Sequence, residues 1–279
     1  MKDFYVPDGV EVKTAFERTT HLAVGAHQDD LEIFAYHGIA ECYESQDAWF
    51  GGVTVTNGAG SARTGKYADF TDEEMQAKRV EEQREAAKIG KYSFQAQLAY
   101  PSSDLKSAEK SEAAISELEA YFRQCKADTV YLHNPADKHD THISLLTCCV
   151  AALRRLPEDC RPKRVYGCEV WRDLDWLSDS SKVMLPVDKY PELAEKLIEV
   201  FDSQVAGGKD YVAATIGRRN ANATYFDSHS IDQSTAYTVA IDMMPLLENP
   251  ELSMDAFVGE LIEAFKKDAC DRLTRYQKA

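Results

Sequence analysis

The chain has 279 residues, 44% of them hydrophobic, and carries 32 basic against 47 acidic side chains for a formal net charge of −15. With no Pro/Gly/Ser-rich linker and no abrupt change of composition, a single domain over 1–279 is expected. The acidic balance argues against nucleic acid and an anionic membrane surface as partners and favours a neutral or weakly charged small-molecule substrate.

The N-terminal M-K-D-F-Y-V-P-D-G lacks the apolar core of a signal peptide, and no apolar run approaches a bilayer span, so a cytoplasmic location is expected. A first strand is predicted from His21 to Ala26, followed by a helix over L-E-I-F-A-Y-H-G-I-A-E-C-Y-E. A-W-F-G-G-V-T-V-T reads as a second strand ending at Thr56, followed by the Gly-rich loop N-G-A-G-S-A-R-T-G-K-Y. Thr71 with Glu74 three residues on is a capping box that opens a helix running to Gly90. Q-A-Q-L-A-Y (strand), the helix from Ser107 to Cys125, and D-T-V-Y-L-H (strand, ending at His133) complete the alternation, which continues with a helix from about Ile143 to Arg155 and the strand R-V-Y-G-C-E-V-W. Such alternation predicts a Rossmann-like α/β fold, a mostly parallel sheet with helices on both faces. Beyond Trp171 come K-V-M-L-P-V, the helix P-E-L-A-E-K-L-I-E-V-F, the segment from Tyr211 to Phe226, the strand A-Y-T-V-A-I-D and a last helix from Met254 to Tyr276. This divergent C-terminal part is expected to close over the strand ends.

Seven cysteines without a C-x-x-C pair suggest neither a disulfide framework nor a thiolate zinc site. The polar residues cluster instead at two predicted strand ends. The first cluster is A-H-Q-D-D-L-E, with His27, Asp29 and Asp30; the second is H-N-P-A-D-K-H-D-T-H, residues 133–142, which holds three of the seven histidines. Ligands in open α/β sheets bind at carboxyl strand ends. His27 and Asp30 are three apart, as are His139 and His142, a spacing that directs two side chains to one side of a first helical turn. Two imidazoles and a carboxylate are the donors a catalytic zinc takes when one position stays open for water. The alternative is structural: Asp29 and Asp30 as helix N-caps, and His139 as a solvated loop residue. The Gly-rich loop raises a nucleotide-binding module as a rival, but it lacks G-x-G-x-x-G and the Lys-Ser/Thr of a phosphate loop.

These stretches carry a resemblance. A-H-Q-D-D-L-E and H-D-T-H resemble the A-H-P-D-D-x-E and H-P-D-H motifs of the LmbE/PIG-L family of zinc-dependent N-deacetylases, and T-N-G-A-G-S at 56–61 and R-V-E-E-Q-R-E-A-A-K-I-G at 79–90 are similar to its loop and helix motifs. Y-P-S-S-D-L at 100–105 is a looser match. The resemblance implies His27, Asp30 and His142 as zinc ligands (ferrous iron being the alternative ion), Asp29 as general base and His139 facing the oxyanion. It implies a hydrolase that removes acetyl from an N-acetylglucosamine-type amino sugar or its conjugate, and leaves a homo-oligomer open. Departures stand beside it: Gln28 for the usual proline, Asp140-Thr141 for Pro-Asp, and Phe201 where the family has histidine in H-x-S-Q. Asp137 or Asp140 would then have to orient His139. A sugar-binding homologue with little or no turnover is the alternative function. Candidate substrate contacts are Arg63 in the Gly-rich loop, Asp104, and the polar group Arg219, Asn222, Tyr225 and His229. Glu32 is a candidate support for a ligand, Arg79 a brace for the loop, and Trp171 and Trp176 either sugar-stacking or core residues.

Overall fold

The computed structural model describes residues 2–206 and 208–277. Its strands are β1 (Asp3–Tyr5), β2 (His21–Gly25), β3 (Phe50–Thr56), β4 (Phe94–Tyr100), β5 (Thr129–His133), β6 (Arg164–Cys168), β7 (Val183–Pro186) and β8 (Tyr237–Asp242). They form one sheet in the order β1-β4-β3-β2-β5-β6-β8-β7. Strands β2 to β6 run parallel; β1 and β8 pair antiparallel to β4 and β6, and β7 antiparallel to β8. The C-terminal third thus extends the same sheet.

Side chains alternate across the sheet, as strand geometry requires. Leu22 and Val24 of β2 and Val130 and Leu132 of β5 join one buried cluster, with Leu118, Phe122, Leu145 and Leu153 from the helices at Ser111–Cys125 and Asp140–Arg154. Ala23 and Tyr131 face the other way, into a second cluster with Leu31, Ile39, Ala86 and Leu197. Each fully buried Leu or Phe contributes about 1.5–3 kcal/mol, so helices cover both faces because both are apolar. The expected α/β architecture is the one observed, and no helix of the described residues is long and apolar enough to cross a membrane.

The capping box forms as read: Thr71 accepts from the Glu74 amide, Glu74 returns a bond to the Thr71 amide, and the helix spans Asp72–Ile89. Two readings are revised. The helix after β2 is broken at Ala35 into Asp30–Phe34 and Tyr36–Cys42. The segment from Tyr211 to Phe226 is a helix, started by the Asp210 side chain accepting from the Ala213 amide.

Strand order places the candidate site. From β2 the chain steps outward through β3 and β4, then returns to the other flank of β2 with β5. That reversal opens a crevice at the carboxyl ends of β2 and β5, the position where doubly wound sheets bind ligands.

Candidate metal centre and cleft

The two strand ends are joined directly. Just past β2, the Ala26 amide donates to His133 Nε2 at 3.0 Å, and the Ala26 carbonyl accepts from Thr56 Oγ1 at 2.7 Å. Gly25 lets the chain turn back closely, since a Cβ there would lie 2.9 Å from Leu31 Cδ2 and 3.0 Å from Asp30 Cβ. Beyond it, the Asp30 carboxylate accepts from the His27 amide at 2.6 Å. Neither aspartate caps the short helix with its side chain; Asp29 stands in the left-handed region at φ 94°, a conformation that costs a non-glycine residue of order 1–3 kcal/mol and turns it out of the helical path.

Asp30 is buried among three imidazoles. His27 Nδ1 lies 3.3 Å from its Oδ2, His142 Nε2 lies 3.4 Å from its Oδ1, and His27 Nδ1 and His142 Nε2 are 3.2 Å apart. Ligands about 2.0–2.1 Å from a tetrahedral zinc stand about 3.3 Å from one another, a spacing that the two imidazole nitrogens match, while Asp30 turns a different oxygen to each of them. His133 also approaches Asp30, at 3.3 Å, but its Nε2 lone pair already accepts the Ala26 amide. His142 is free of such a claim: its Nδ1 donates to Asp137 Oδ2 at 3.0 Å, which fixes the tautomer and leaves Nε2 as the lone-pair donor. Two overlapping groups, His27 with His139 and His142, and Asp30 with His133 and His142, bring three donor atoms within 4.8 Å of one another; with His133 Nε2 already engaged, His27, Asp30 and His142 are the ligand candidates left where the two groups meet.

The electrostatics agree with that fit. Burial works against charge on Asp30, yet His142, His133 and His27 together hold it well below the usual carboxylate range. Burial likewise resists a proton on His142, but Asp30 and Asp137 outweigh it and raise its pKa. A pocket that attracts a proton this way attracts a cation, and the two compete.

Asp29, with 14% of its side chain exposed, is pushed up to about 6, chiefly by burial and against the pull of Arg79, whose Nη2 lies 3.6 Å from its Oδ1. Arg79 also donates to the Gln28 carbonyl and sits over the ring of buried Phe201, so it braces the motif from beneath. His139 packs edge-on to His27 with ring centres 5.0 Å apart. Among the described residues no carboxylate bonds its ring: Asp137 is committed to His142, and exposed Asp140 starts the helix with its side chain elsewhere. Burial, then His142 and His27, lower the pKa of His139, so it is a neutral imidazole near pH 7. The expected orienting role of Asp137 or Asp140 is corrected accordingly: Asp137 orients His142.

His27, Asp29, Asp30, Arg79 and His139 line a cleft of about 530 Å³, a size suited to a small-molecule site, with His142 buried behind them. Of the six candidate substrate contacts, Arg219 lines it and the others lie elsewhere. Arg63 ties the Gly-rich loop to Asp72 and to the Ala59 and Phe70 carbonyls. Asp104 pairs with Lys110 at 3.5 Å, Asn222 bonds the Tyr237 carbonyl at 2.9 Å, and Tyr225 and His229 are exposed. Trp171 lines the cleft, whereas Trp176 packs on Phe265. Glu32 is fully buried, bonded by Tyr92 at 2.7 Å and Gln83 at 2.8 Å, and its contacts do not reach a candidate ligand. Sequence reasoning missed Lys209, Tyr211, Thr215 and Arg218 as cleft residues. Their spacing of 211, 215 and 218 on a helix was a usable signal once that segment was read as one.

Residues 22–153 match the family described as PIG-L: GlcNAc-PI de-N-acetylase. No curated protein matches by sequence. Solved structures of similar fold include the conserved protein TT1542 from Thermus thermophilus, at 19% identity over 84% of this chain and 99% of that one with a TM-score of 0.61. Another is GalB, the 4-carboxy-2-hydroxymuconate hydratase from Pseudomonas putida KT2440, at 16% identity over 84% and 98% with a TM-score of 0.63. A third is N,N'-diacetylchitobiose deacetylase from Pyrococcus horikoshii, at 15% identity over 86% and 89% with a TM-score of 0.61. At such identities the likeness establishes the fold, and a fold shared by a deacetylase and a hydratase leaves the reaction to the site.

Proposed function

We propose that the chain, whose residues 22–153 match the PIG-L (LmbE-like) family, is a metal-dependent hydrolase that removes acetyl from an N-acetylglucosamine-type amino sugar or a conjugate of one. The observation that carries this reading is the trio His27, Asp30 and His142, spaced 3.2–3.4 Å apart with Asp29 beside it. Zinc suits this donor set, with ferrous iron the alternative. When bound, such an ion supplies a Lewis acid that makes water nucleophilic near neutral pH and polarises an amide carbonyl.

The protein's own groups divide the remaining work. Asp29, about 6 in pKa, is a carboxylate at neutral pH and close enough to it to accept the attacking water's proton and pass it to the leaving amine. Neutral His139 donates an N–H to the developing oxyanion; a donor of that kind is worth about 2.7–4 kcal/mol in the barrier. Asp137 holds His142 in the ligating tautomer, and Trp171 offers a face for a sugar ring.

The second reading is a sugar-binding homologue with little or no turnover, favoured by the absence of a carboxylate on the His139 ring among the described residues. An acetate-release screen of zinc- and iron-loaded protein against N-acetylglucosamine, its phosphates and short chito-oligosaccharides separates the two. Release that disappears in His142→Ala together with bound metal supports the hydrolase; metal and sugar binding without release in any arm supports the binding protein.

A further inference from the structure

The cleft reverses the charge balance of the chain. Against the 32 basic and 47 acidic side chains of the whole sequence, its lining brings Arg79, Lys106, Lys209, Arg218 and Arg219 together with three acids, Asp29, Asp30 and Glu169. Those acids are already engaged. Asp30 faces the imidazoles, Asp29 lies beside Arg79, and Glu169 accepts from the Val239 amide, the Leu174 amide and Asn222.

The cations of one wall are less fully engaged, Arg219 having the Tyr36 ring at 4.8 Å and no close carboxylate among the described residues. Arg219 is 3% exposed, gives its Nη2 to the Glu32 and Ile33 carbonyls at 3.0 and 2.9 Å, and leaves Nε and Nη1 without an acceptor. Arg218, one position back on the same helix, donates to the Val170 carbonyl. Lys209 stands over the Trp171 ring at 4.8 Å. None of the three has a carboxylate oxygen within 4.0 Å among the described residues; buried Glu169 acts on Arg218 and Arg219 from further off, while its own oxygens are taken by Asn222 and two backbone amides. Buried guanidinium nitrogens without an acceptor, here Nε and Nη1 of Arg219, are costly unless an anion arrives to accept from them. The wall also has a defined position relative to the metal centre: the His139 ring centre lies 4.5 Å from that of His142 and 6.4 Å from that of Trp171, over which Lys209 stands.

We infer that Lys209, Arg218 and Arg219 form a subsite for an anionic group, a carboxylate or a phosphate, carried by the substrate beside Trp171. This rests on the proposed deacetylase reading, and it replaces the neutral or weakly charged substrate expected from net charge. Arg218 and Lys209 contact the anion; buried Arg219 sets the positive potential of the wall, in a low-dielectric position where salt screens it little.

The test compares three probes that differ in charge: N-acetylglucosamine, its 1-phosphate, and N-acetylmuramic acid, which bears a carboxylate. Calorimetric binding is measured at low and high salt, and acetate release is measured in parallel on zinc-loaded protein. At least one anionic probe is expected to bind tenfold or more tightly than the neutral sugar, with the preference shrinking as salt rises. Which of the two anions wins distinguishes phosphate from carboxylate. Lys209→Gln and Arg218→Gln, both checked for wild-type melting, should reduce that preference at least fivefold. Equal binding of all three probes, or a preference unchanged in both variants, overturns the subsite. A charge preference in binding without acetate release from any probe leaves the subsite standing and removes the deacetylase reading; equal binding with release from all three does the reverse.

Discussion

Histidines gather at both ends of the sheet, and only one gathering has the makings of a reactive centre. At the amino end of β2, His21 Nδ1 meets Thr20 Oγ1 at 3.0 Å and Cys42 Sγ at 3.4 Å, and His37 Nδ1 meets the Tyr131 hydroxyl at 2.8 Å. At the carboxyl end, His27, His133 and His142 surround the Asp30 carboxylate, and His142 leans on a second one, Asp137. The difference lies in the partners. Neutral hydroxyl and thiol partners let burial push His37 down to about 4 and lower His21, so both serve as uncharged hydrogen-bonding core residues. Two carboxylates, Asp30 and Asp137, raise His142 against the same burial and create an attraction for a cation, whereas fully buried His133, beside Asp30 and His142, is still pushed down to about 4. Convergent negative charge, more than the number of imidazoles, marks the candidate site.

The comparison can be broken most sharply at Asp29. As a base outside the donor trio, it is expected to be dispensable for the ion and needed for turnover, so Asp29→Asn should retain about one equivalent of metal while kcat falls by roughly two to four orders of magnitude. Elemental analysis with single-turnover rates checks this, and near-normal turnover would sink the assignment.

At the opposite end the expected effect is on stability. His37 titrates at about 4 when folded against an ordinary value of 6.5, so between those values the unfolded chain binds the proton more readily. Its contribution is fully present above pH 6.5 and is lost progressively as pH falls towards 4, by an amount of about 3 kcal/mol. In urea titrations across that window, His37→Gln should flatten the decline while leaving metal affinity unaltered. An identical decline in wild type and variant would show that His37 titrates freely.

Asp137→Asn sharpens the carboxyl-end half of the contrast. Its bond to His142 Nδ1 sets the ligating tautomer, so metal affinity should fall about 10–100-fold, with Asp140→Asn as a silent control. Chelator competition measures both; equal losses in the two variants would mean that general negative charge matters and the hydrogen bond does not. The smallest effect is expected at Gly58, which sits at φ +71° and where a Cβ would lie 2.7 Å from Gln28 Oε1. Gly58→Ala should cost about 1–2 kcal/mol of unfolding free energy. Unchanged melting would show that the loop relaxes around the added methyl.

Local order was legible because local rules govern it. Thr71 and Glu74 announce a helix start wherever they occur at that spacing, and the Leu22-Ala23-Val24 run marks a strand buried on both faces. The two polar clusters were visible because His27, Asp30, His139 and His142 interrupt apolar strands at their carboxyl ends. The helix at Tyr211–Phe226 was not, since its apolar side chains are small and scattered and only Asp210 signals its start. With that helix unread, Arg219 stands as a candidate substrate contact without a wall to place it on, and Arg218 is not singled out.

What the sequence determined by itself was therefore a set of elements and the identity of the groups at their ends. Strand order decided the rest: β5 pairs with β2, so residues 115 apart, His27 and His142, come within 3.2 Å. Burial in the resulting crevice then raised Asp29, gave Asp137 to His142 in place of His139, and brought Arg218 and Arg219 to one cleft. Net charge sums over the whole chain without regard to position, whereas recognition depends on which few charges share a low-dielectric space, and only folding decides that.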